Sequence, residues 1–423
     1  MGLRTSASTA LTLLALILVL FQIPVLAAAA PPATCGDVTS SITLTGNLLA
    51  SGTCFKIKAN GITIDGAGYT ITYAQYAEGY GIDNSGGYDN IVIKNLKIKH
   101  TNSSNENSYA IYAVGMTGST IEGNQITTNG FYDGGIFIKS ANALNTISGN
   151  TVTMNNQYSS GVRLESSDNQ VVQNNNINTP SFWSPAINII SSDSSTISGN
   201  TITTGDEGSF GIRLETSTLS TITANTLDTK QDYAIYIVPS TTSSHYKHTI
   251  ATSNTENGRA IHYYYQRAAP IQNLNNLGQL YVADSSGVQI TNVNVSGDGI
   301  TLAMTSNAQI TNSKVSMARS EKQPDGINLH SGSNNNIISN NYIKTFGGWG
   351  YGIYLKGSEN TLIDHNTLDT WGTHAIYIEP TSNSAYYNHD IRTTNTERGE
   401  PIYYFYNQNS MTFENIDYIG QLY

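Results

Sequence analysis

The chain has 423 residues, of which only 12% are charged, and the balance is acidic, with a formal net charge of -10. An acidic surface without a basic stripe argues against nucleic acid and against anionic lipid as partners. The 27 tyrosines, against 9 phenylalanines and 3 tryptophans, supply flat amphipathic rings suited to sugar faces.

Residues 1–30 read as a signal peptide: Arg4, an apolar run from Leu11 to Leu26, then Ala27 to Ala30 ahead of Pro31-Pro32. The run is shorter than the roughly 20 residues of a spanning helix, and Pro24 interrupts it. A secreted, cell-surface or periplasmic protein is expected, with no membrane span after signal removal. Residues 31–73 read as an N-terminal cap that holds the only two cysteines, Cys35 and Cys54. In an exported chain that pair predicts a disulfide rather than a metal site, because no histidine clusters with it.

From Ile62 onward the sequence alternates apolar and polar residues around turns of Asn, Gly, Ser and Thr, and no stretch has a helical period. One phrase recurs: Thr146-Ile147-Ser148-Gly149-Asn150-Thr151-Val152 returns as Thr196-Ile197-Ser198-Gly199-Asn200-Thr201-Ile202. Looser forms occur at Ile121/Asn124/Ile126, Val172/Asn175/Ile177, Ile222/Asn225/Leu227, Ile338/Asn341/Ile343 and Ile363/Asn366/Leu368. Such recurrence marks a solenoid. The Asn is expected at a corner with left-handed backbone, its amide bonding to the Asn one coil away at a spacing of about 4.8 Å. A leucine-rich repeat would need a helical segment after each strand, whereas here a second strand rich in Thr, Val and Ile follows.

A second phrase sets the coil spacing: Gly135-Ile136, Gly161-Val162, Ala186-Ile187, Gly211-Ile212 and Ala234-Ile235 in the first half, Gly326-Ile327, Gly352-Ile353 and Ala375-Ile376 in the second. The long gap from Ile261 to Ile300 divides into two shorter coils if Leu280 takes the missing position. Above the coil period lies a duplication. Thr226-Leu227-Asp228-Thr229 matches Thr367-Leu368-Asp369-Thr370, and Gly278-Gln279-Leu280-Tyr281 matches Gly420-Gln421-Leu422-Tyr423. It divides the chain into a first module, 74–281, and a second, 282–423, which is expected to continue beyond Tyr423 because an open strand end invites aggregation.

At Asn-Thr-Ile-Ser-Gly-Asn-Thr-Val (145–152), Gly-Ile-Arg-Leu-Glu (211–215) and Ile-Thr-Ile-Asp-Gly-Ala-Gly-Tyr-Thr-Ile (62–71), the chain resembles the pectate-lyase-like right-handed parallel β-helix superfamily, above all its NosD-type members with carbohydrate-binding and sugar-hydrolase repeats. The resemblance spans 57–423 and implies an all-β, right-handed single-stranded parallel β-helix of roughly fourteen coils. It leaves activity open, because these motifs build coils. The segment Leu362-Ile363-Asp364-His365-Asn366 is similar to the Ile-Asp-His of pectate lyases, where acidic residues hold calcium. That makes Asp364 and His365 the catalytic candidates. Asp364 shares its column with Ser339, Ser148, Ser198 and Thr223, so calcium lacks a carboxylate cluster and no cofactor is expected. Asp298 and Asp325, each before Gly-Ile, read as turn residues.

The binding candidates are aromatic. Alternation from Ile353, Ile376 and Ile402 places Tyr354, Tyr377 and Tyr403 in one outward column, with Lys356, Glu379 and Phe405 beside it. The first copy offers Arg213, Tyr236 and His262, with Glu215, Val238 and Tyr264 beside them. The expected function is non-catalytic binding of an extracellular glycan or surface protein along this face. A polysaccharide lyase or glycoside hydrolase, and a surface-layer spacer, are the alternatives.

Overall fold

Three apolar positions per turn of chain, each flanked by polar residues, give each coil three short strands where the sequence promised at least two. The computed structural model describes residues 34–102, 106–317, 324–346, 350–371, 374–407 and 419–422. The expected signal, 1–30, lies outside the described residues.

Among the described residues the first sheet stacks nine parallel strands, from Gly36–Val38 to Ile235–Ile237. The second stacks nine, from Ile42–Thr43 to Thr249–Ile250, and the third begins at Leu48–Leu49. Strands lie in register one coil apart, so Ile111, Ile136, Val162, Ile187, Ile212 and Ile235 form one inward column, all of them buried. Each such side chain contributes about 1.5–3 kcal/mol through burial. The chain is a right-handed parallel β-helix, the hand that parallel crossovers favour. Of the expected atypical cap, 31–73, the described residues 34–73 already supply regular strands to all three sheets.

The asparagine corners form the expected ladder. The amide of Asn124 donates to Asn150 Oδ1 at 3.0 Å, Asn150 to Asn175 at 3.0 Å, Asn175 to Asn200 at 3.0 Å, Asn200 to Asn225 at 2.9 Å and Asn225 to Asn254 at 2.9 Å. The left-handed backbone, however, belongs to the residue before each rung: Gly123, Gly149, Asn174, Gly199 and Ala224. The rung itself turns inward to bond, and its predecessor makes the bend. Other corners carry serine ladders, such as Ser167 and Ser192, whose hydroxyls accept the Ala141 and Ser167 amides.

The solenoid is not one continuous winding. Thr255–Glu256 pairs antiparallel with Arg259–Tyr265 across Asn257-Gly258, both left-handed, with φ of 50° and 73°. Asn-Gly is the preferred dipeptide for such a tight hairpin. Strand direction therefore reverses inside the third sheet, which continues through Gln279–Ala283 to Ile376–Ile378 as fifteen strands. A right-handed coil with reversed strands must wind on the opposite face. Accordingly Leu280, Val282 and Leu302 line a second core, while Tyr281, Ala283 and Ala303 of the same strands pack with the first. The boundary thus falls at Asn257-Gly258, well ahead of residue 281. Leu280 pairs with Ile300 as expected, but it aligns with His262, and Ile261 aligns with Gln279.

The second module seals the open end of the first. Gln279 Nε2 donates to the Ile235 carbonyl at 2.9 Å, and Asp298 Oδ2 accepts the Ala234 amide at 2.5 Å. Asp325, buried, accepts from Tyr233 Oη at 3.2 Å, Asn328 Nδ2 at 3.0 Å and the Tyr351 amide at 3.1 Å. The two aspartates sit in the turns ahead of Ile300–Ala303 and Ile327–His330, as expected, and are in addition buried junction residues.

Cys35 and Cys54 form the expected disulfide, 19 residues apart, with Cys54 buried. Closing so short a loop stabilises by about 3 kcal/mol in the chain-entropy account. Reductant is expected to lower the melting temperature of the native protein and to leave a Cys35→Ser/Cys54→Ser variant unchanged; equal shifts in both would exclude a stabilising bridge.

Candidate functional site

The outer face of the first sheet carries one polar and aromatic column, Asp83, Tyr112, Phe137, Arg163, Asn188, Arg213 and Tyr236, one residue per coil. Period-2 alternation puts Lys139, Glu165 and Glu215 beside it on the same face. Arg163 donates to Glu165, Lys139 bonds the other Glu165 oxygen at 3.0 Å, and Arg213 bonds Glu215 at 2.7 Å and Asn188 Oδ1 at 3.2 Å. Partial burial pushes the Glu165 carboxyl up, but Lys139 and Arg163 outweigh it and hold it below its ordinary range. The Arg163 guanidinium lies 4.8 Å from the centre of the Phe137 ring.

The turns that lead from the third sheet into the first add a row of rings. Tyr132, Tyr158 and Trp183 occupy equivalent positions on successive coils and are 46%, 43% and 47% exposed. The amides of Tyr132 and Tyr158 bond carbonyls of the next coil, as does that of Trp183. Tyr132 and Tyr158 stack at 5.0 Å with planes 19° apart. All three have left-handed backbone, with φ of 54°, 57° and 50°. For a bulky residue this is uncommon and costs about 1–2 kcal/mol. On the flanking coils the same position is Asn107 and Gly208, residues that tolerate it, and a Cβ on Gly208 would strike the Trp183 ring. Rings and column enclose a trough of about 280 Å³ lined by Tyr132, Tyr158, Ser160, Arg163, Trp183, Pro185, Asn188 and Arg213. Sequence reading found Arg213 and missed the rings, which sit in irregular turns where alternation assigns no face; their recurrence at coil spacing was the available signal.

Of the residues picked from sequence, Tyr354 and Tyr377 are neighbours in register, and Lys356 meets Glu379 at 3.0 Å. Tyr351 stacks on Tyr377 at 4.3 Å, His374 lies 5.4 Å from Tyr377, and Tyr354 Oη donates to Glu379 at 3.0 Å. Burial, then the Glu379 charge, raises the Tyr354 phenol well above its usual range. Tyr236 lies against Phe210 at 4.2 Å, and burial pushes its phenol up to about 12. Tyr403 does not continue the Tyr354/Tyr377 column, because Glu400–Tyr403 follows a second hairpin, antiparallel to Thr396–Glu397. Phe405 goes with it, stacking on Tyr403. His262 likewise lies beyond the first hairpin, bonded to Tyr264, which packs on the second core. Alternation cannot be carried through a reversal of strand direction.

Asp364 stands on the second module's surface beside Ser339. It accepts from Thr394 Oγ1 at 2.5 Å, His365 Nδ1 at 2.8 Å and Arg392 at 3.0 Å. The Thr394 hydrogen bond first, then His365 and Arg392, hold its carboxyl below the usual range. His365 fills the left-handed corner position that Ala224 fills in the first module. This is an exposed ion network of modest energetic weight.

Solenoid and asparagine ladder together define a right-handed parallel β-helix, and two stretches of the chain match family models of that kind. Residues 55–251 match the family described as periplasmic copper-binding protein (NosD), and residues 278–420 match the family described as right handed beta helix region. No curated protein matches the chain. Among solved structures, the A-module of mannuronan C-5 epimerase AlgE4 from Azotobacter vinelandii is 13% identical, covering 84% of this chain and 91% of that one, with a TM-score of 0.40. The DFA-IIIase of Arthrobacter chlorophenolicus A6, solved in complex with GF2, is 14% identical over 81% of this chain and 75% of that one, with a TM-score of 0.31. At those identities and scores neither activity transfers to this chain.

The NosD description raises copper, and the donor set does not fit it. Both cysteines are bridged, and no group of three His, Cys, Asp or Glu side chains gathers among the described residues. His100 is bound to Asp133 inside the solenoid at 2.5 Å. His248 and His389 each bond a carbonyl three residues back, and burial lowers both to about 4.

Proposed function

We propose that this β-helix is an exported, periplasmic or cell-surface protein that binds carbohydrate along the outer face of its first sheet. One observation carries the reading: three exposed rings on successive coils, held in a backbone conformation that neighbouring coils assign to Asn and Gly, beside a column of Arg and Asn. Rings present apolar faces to the C–H face of a sugar, and the column supplies directional hydrogen bonds to its hydroxyls. Bracing of neighbouring coils would not need left-handed aromatics, since Asn serves the same turn at Asn107. Backbone strain kept at such positions points to function.

Trp183→Asn separates binding from folding. Asn suits the left-handed position, so the melting temperature is expected to hold or rise, while affinity for a bound oligosaccharide falls about tenfold, the loss of one stacked ring at about 1.4 kcal/mol. Isothermal titration with an oligosaccharide found on a glycan array reads it. Undiminished affinity in a folded Trp183→Asn protein would remove the trough from the binding surface. Release of unsaturated or reducing ends from the same ligand would replace binding with lyase or hydrolase action.

A further inference from the structure

We propose that Ser240, with His245 as its base, is a nucleophile that opens carboxylic esters of short acyl groups in a cleft between the two windings. The cleft, of about 410 Å³, is lined by Pro239, Ser240 and Thr241 of the first winding and by residues of the second that include Ser331, Lys356 and Tyr386. It shares no lining residue with the trough beside Trp183, so it is tested separately from carbohydrate binding. Ser240 Oγ and His245 Nδ1 are 2.8 Å apart, the reach that a nucleophile and its base require. The Thr242 amide donates to the same oxygen at 3.1 Å. Tyr246 Oη fixes the Ser240 backbone, accepting from its amide at 2.8 Å and donating to its carbonyl at 3.1 Å. With His245 protonated on Nε2, Nδ1 accepts the hydroxyl hydrogen.

The duplication shows that the turn closes without this pair. In the second winding the 3₁₀ helix Ser384–Tyr387 stands where the first has Ser243–Tyr246, and the turn around it is built from the same bonds. The Asn383 amide donates to Thr381 Oγ1 at 3.1 Å, and Tyr387 Oη accepts from the Thr381 amide at 3.0 Å and donates to its carbonyl at 3.4 Å. His389 Nε2 bonds the Tyr386 carbonyl at 2.9 Å, as His248 bonds that of His245 at 3.0 Å. Ser240 and His245 are replaced there by Thr381 and Tyr386. A turn that folds with Thr and Tyr has no structural need of a serine bonded to a histidine, whereas nucleophilic catalysis needs both.

In the reaction, Ser240 Oγ adds to the ester carbonyl carbon as its proton passes to His245 Nδ1. The adduct collapses, the C–O bond to the alcohol breaks, and the alcohol leaves with that proton. A water molecule, giving its proton to the same nitrogen, then adds to the acyl-serine; the carboxylic acid departs and the proton returns to Oγ. The amide of Thr241, next along the chain and lining the cleft, donates to nothing among the described residues and is the donor offered to the carbonyl oxygen. No carboxylate bonds His245 Nε2 among the described residues, so the base lacks the third group that orients it in stronger sites. That weaker pair suits an ester, whose carbonyl is more electrophilic than an amide's and whose alcohol leaves more readily than an amine.

The test treats the full chain with a fluorophosphonate, which phosphonylates activated serines, and assays it with p-nitrophenyl acetate and p-nitrophenyl butyrate. The native protein is expected to take the label at Ser240, read by peptide mass, and to hydrolyse at least one ester about a hundredfold faster than Ser240→Thr/His245→Tyr, the scale of a positioned general base. That variant copies the turn of the second winding, so its melting temperature is expected to hold. His245→Gln, which keeps the hydroxyl, is expected to lose a comparable factor in both labelling rate and turnover. Failure of Ser240 to label, absence of turnover, or turnover that the folded double variant retains would each overturn the proposal. A His245→Gln protein as fast as the native one would overturn it as well.

Discussion

Replacing Asn175 with alanine is expected to destabilise the protein by about 4 kcal/mol, the sum of several orphaned groups at about 1–3 kcal/mol each. Its Oδ1 accepts both the backbone amide of Asn150, at 2.9 Å, and the Asn150 side-chain amide, at 3.0 Å. Its Nδ2 donates to the Ile147 carbonyl at 3.0 Å and to Asn200 Oδ1 at 3.0 Å. Asn175 is buried, and alanine provides no substitute for these bonds. Because each rung is both donor and acceptor, one deletion leaves orphans on both neighbouring coils. The exposed neighbour Asn176 is the control. Asn176→Ala should stay within about 0.5 kcal/mol, as surface substitutions do. Chemical denaturation of both variants reads the difference, and comparable losses would mean that the ladder adds nothing beyond β-sheet pairing.

Asp325 should make the module junction weaker as pH rises. Burial pushes its carboxyl up to about 7, with the Asp232 charge adding to the shift, against hydrogen bonds from Tyr351, Tyr233 and Asn328 that oppose it. The folded state thus holds a proton that the unfolded chain releases near 3.8. Between about 4 and 7 the unfolded state binds fewer protons, so this carboxyl lowers stability as pH rises and adds no further change above 7. The full amplitude is about 4 kcal/mol as an upper bound. Buried His248, His330 and His389 act in the opposite direction. Burial lowers them to about 4, 3 and 4, so their contribution is full above 6.5 and is lost as pH falls towards those values. The informative quantity is therefore native stability minus that of Asp325→Asn, measured by urea at pH 5 and pH 8. It is expected to be lower at pH 8 by at least 1 kcal/mol, the low end for an unpaired buried group. A difference independent of pH would show that Asp325 is ionised at the junction throughout.

How far these features were legible depended on distance along the chain. The Asn phrase, the Cys35–Cys54 bridge and the coil at Leu280 are local or periodic, and periodicity carries register with it. The left-handed corner was assigned one residue late because Ser-Gly-Asn offers two residues that tolerate it, and only the backbone shows that Gly149 takes the bend while Asn150 bonds. Asp298 and Asp325 are legible as turn residues but not as junction residues, because their partners, Ala234 and Tyr233, lie 64 and 92 residues away. His262 and Tyr403 were misplaced for a simpler reason. Asn257-Gly258 is a strong hairpin signal in its own right, and passing over it let a period-2 pattern run through a reversal of direction.

That hairpin bears on how such a chain can lengthen. In an unbroken solenoid every coil inherits its register from the coil beneath, and a slip of one residue would turn each later strand inside out. At Asn257-Gly258 the register is reset by the hairpin: the next strand takes a new direction and a new inner face, while the shared third sheet, Tyr281 in the first core and the Gln279 and Asp298 side chains hold the two windings together. Insertions or deletions accumulated in the first winding are therefore not passed to the second. The turn at Arg398-Gly399, with φ of 51° and 90°, repeats the device, and Gln421 reproduces the Gln279 tie by bonding both the amide and the carbonyl of Ile376. A gene encoding this fold can copy a whole winding in one event, with the register error of the copy erased at its border.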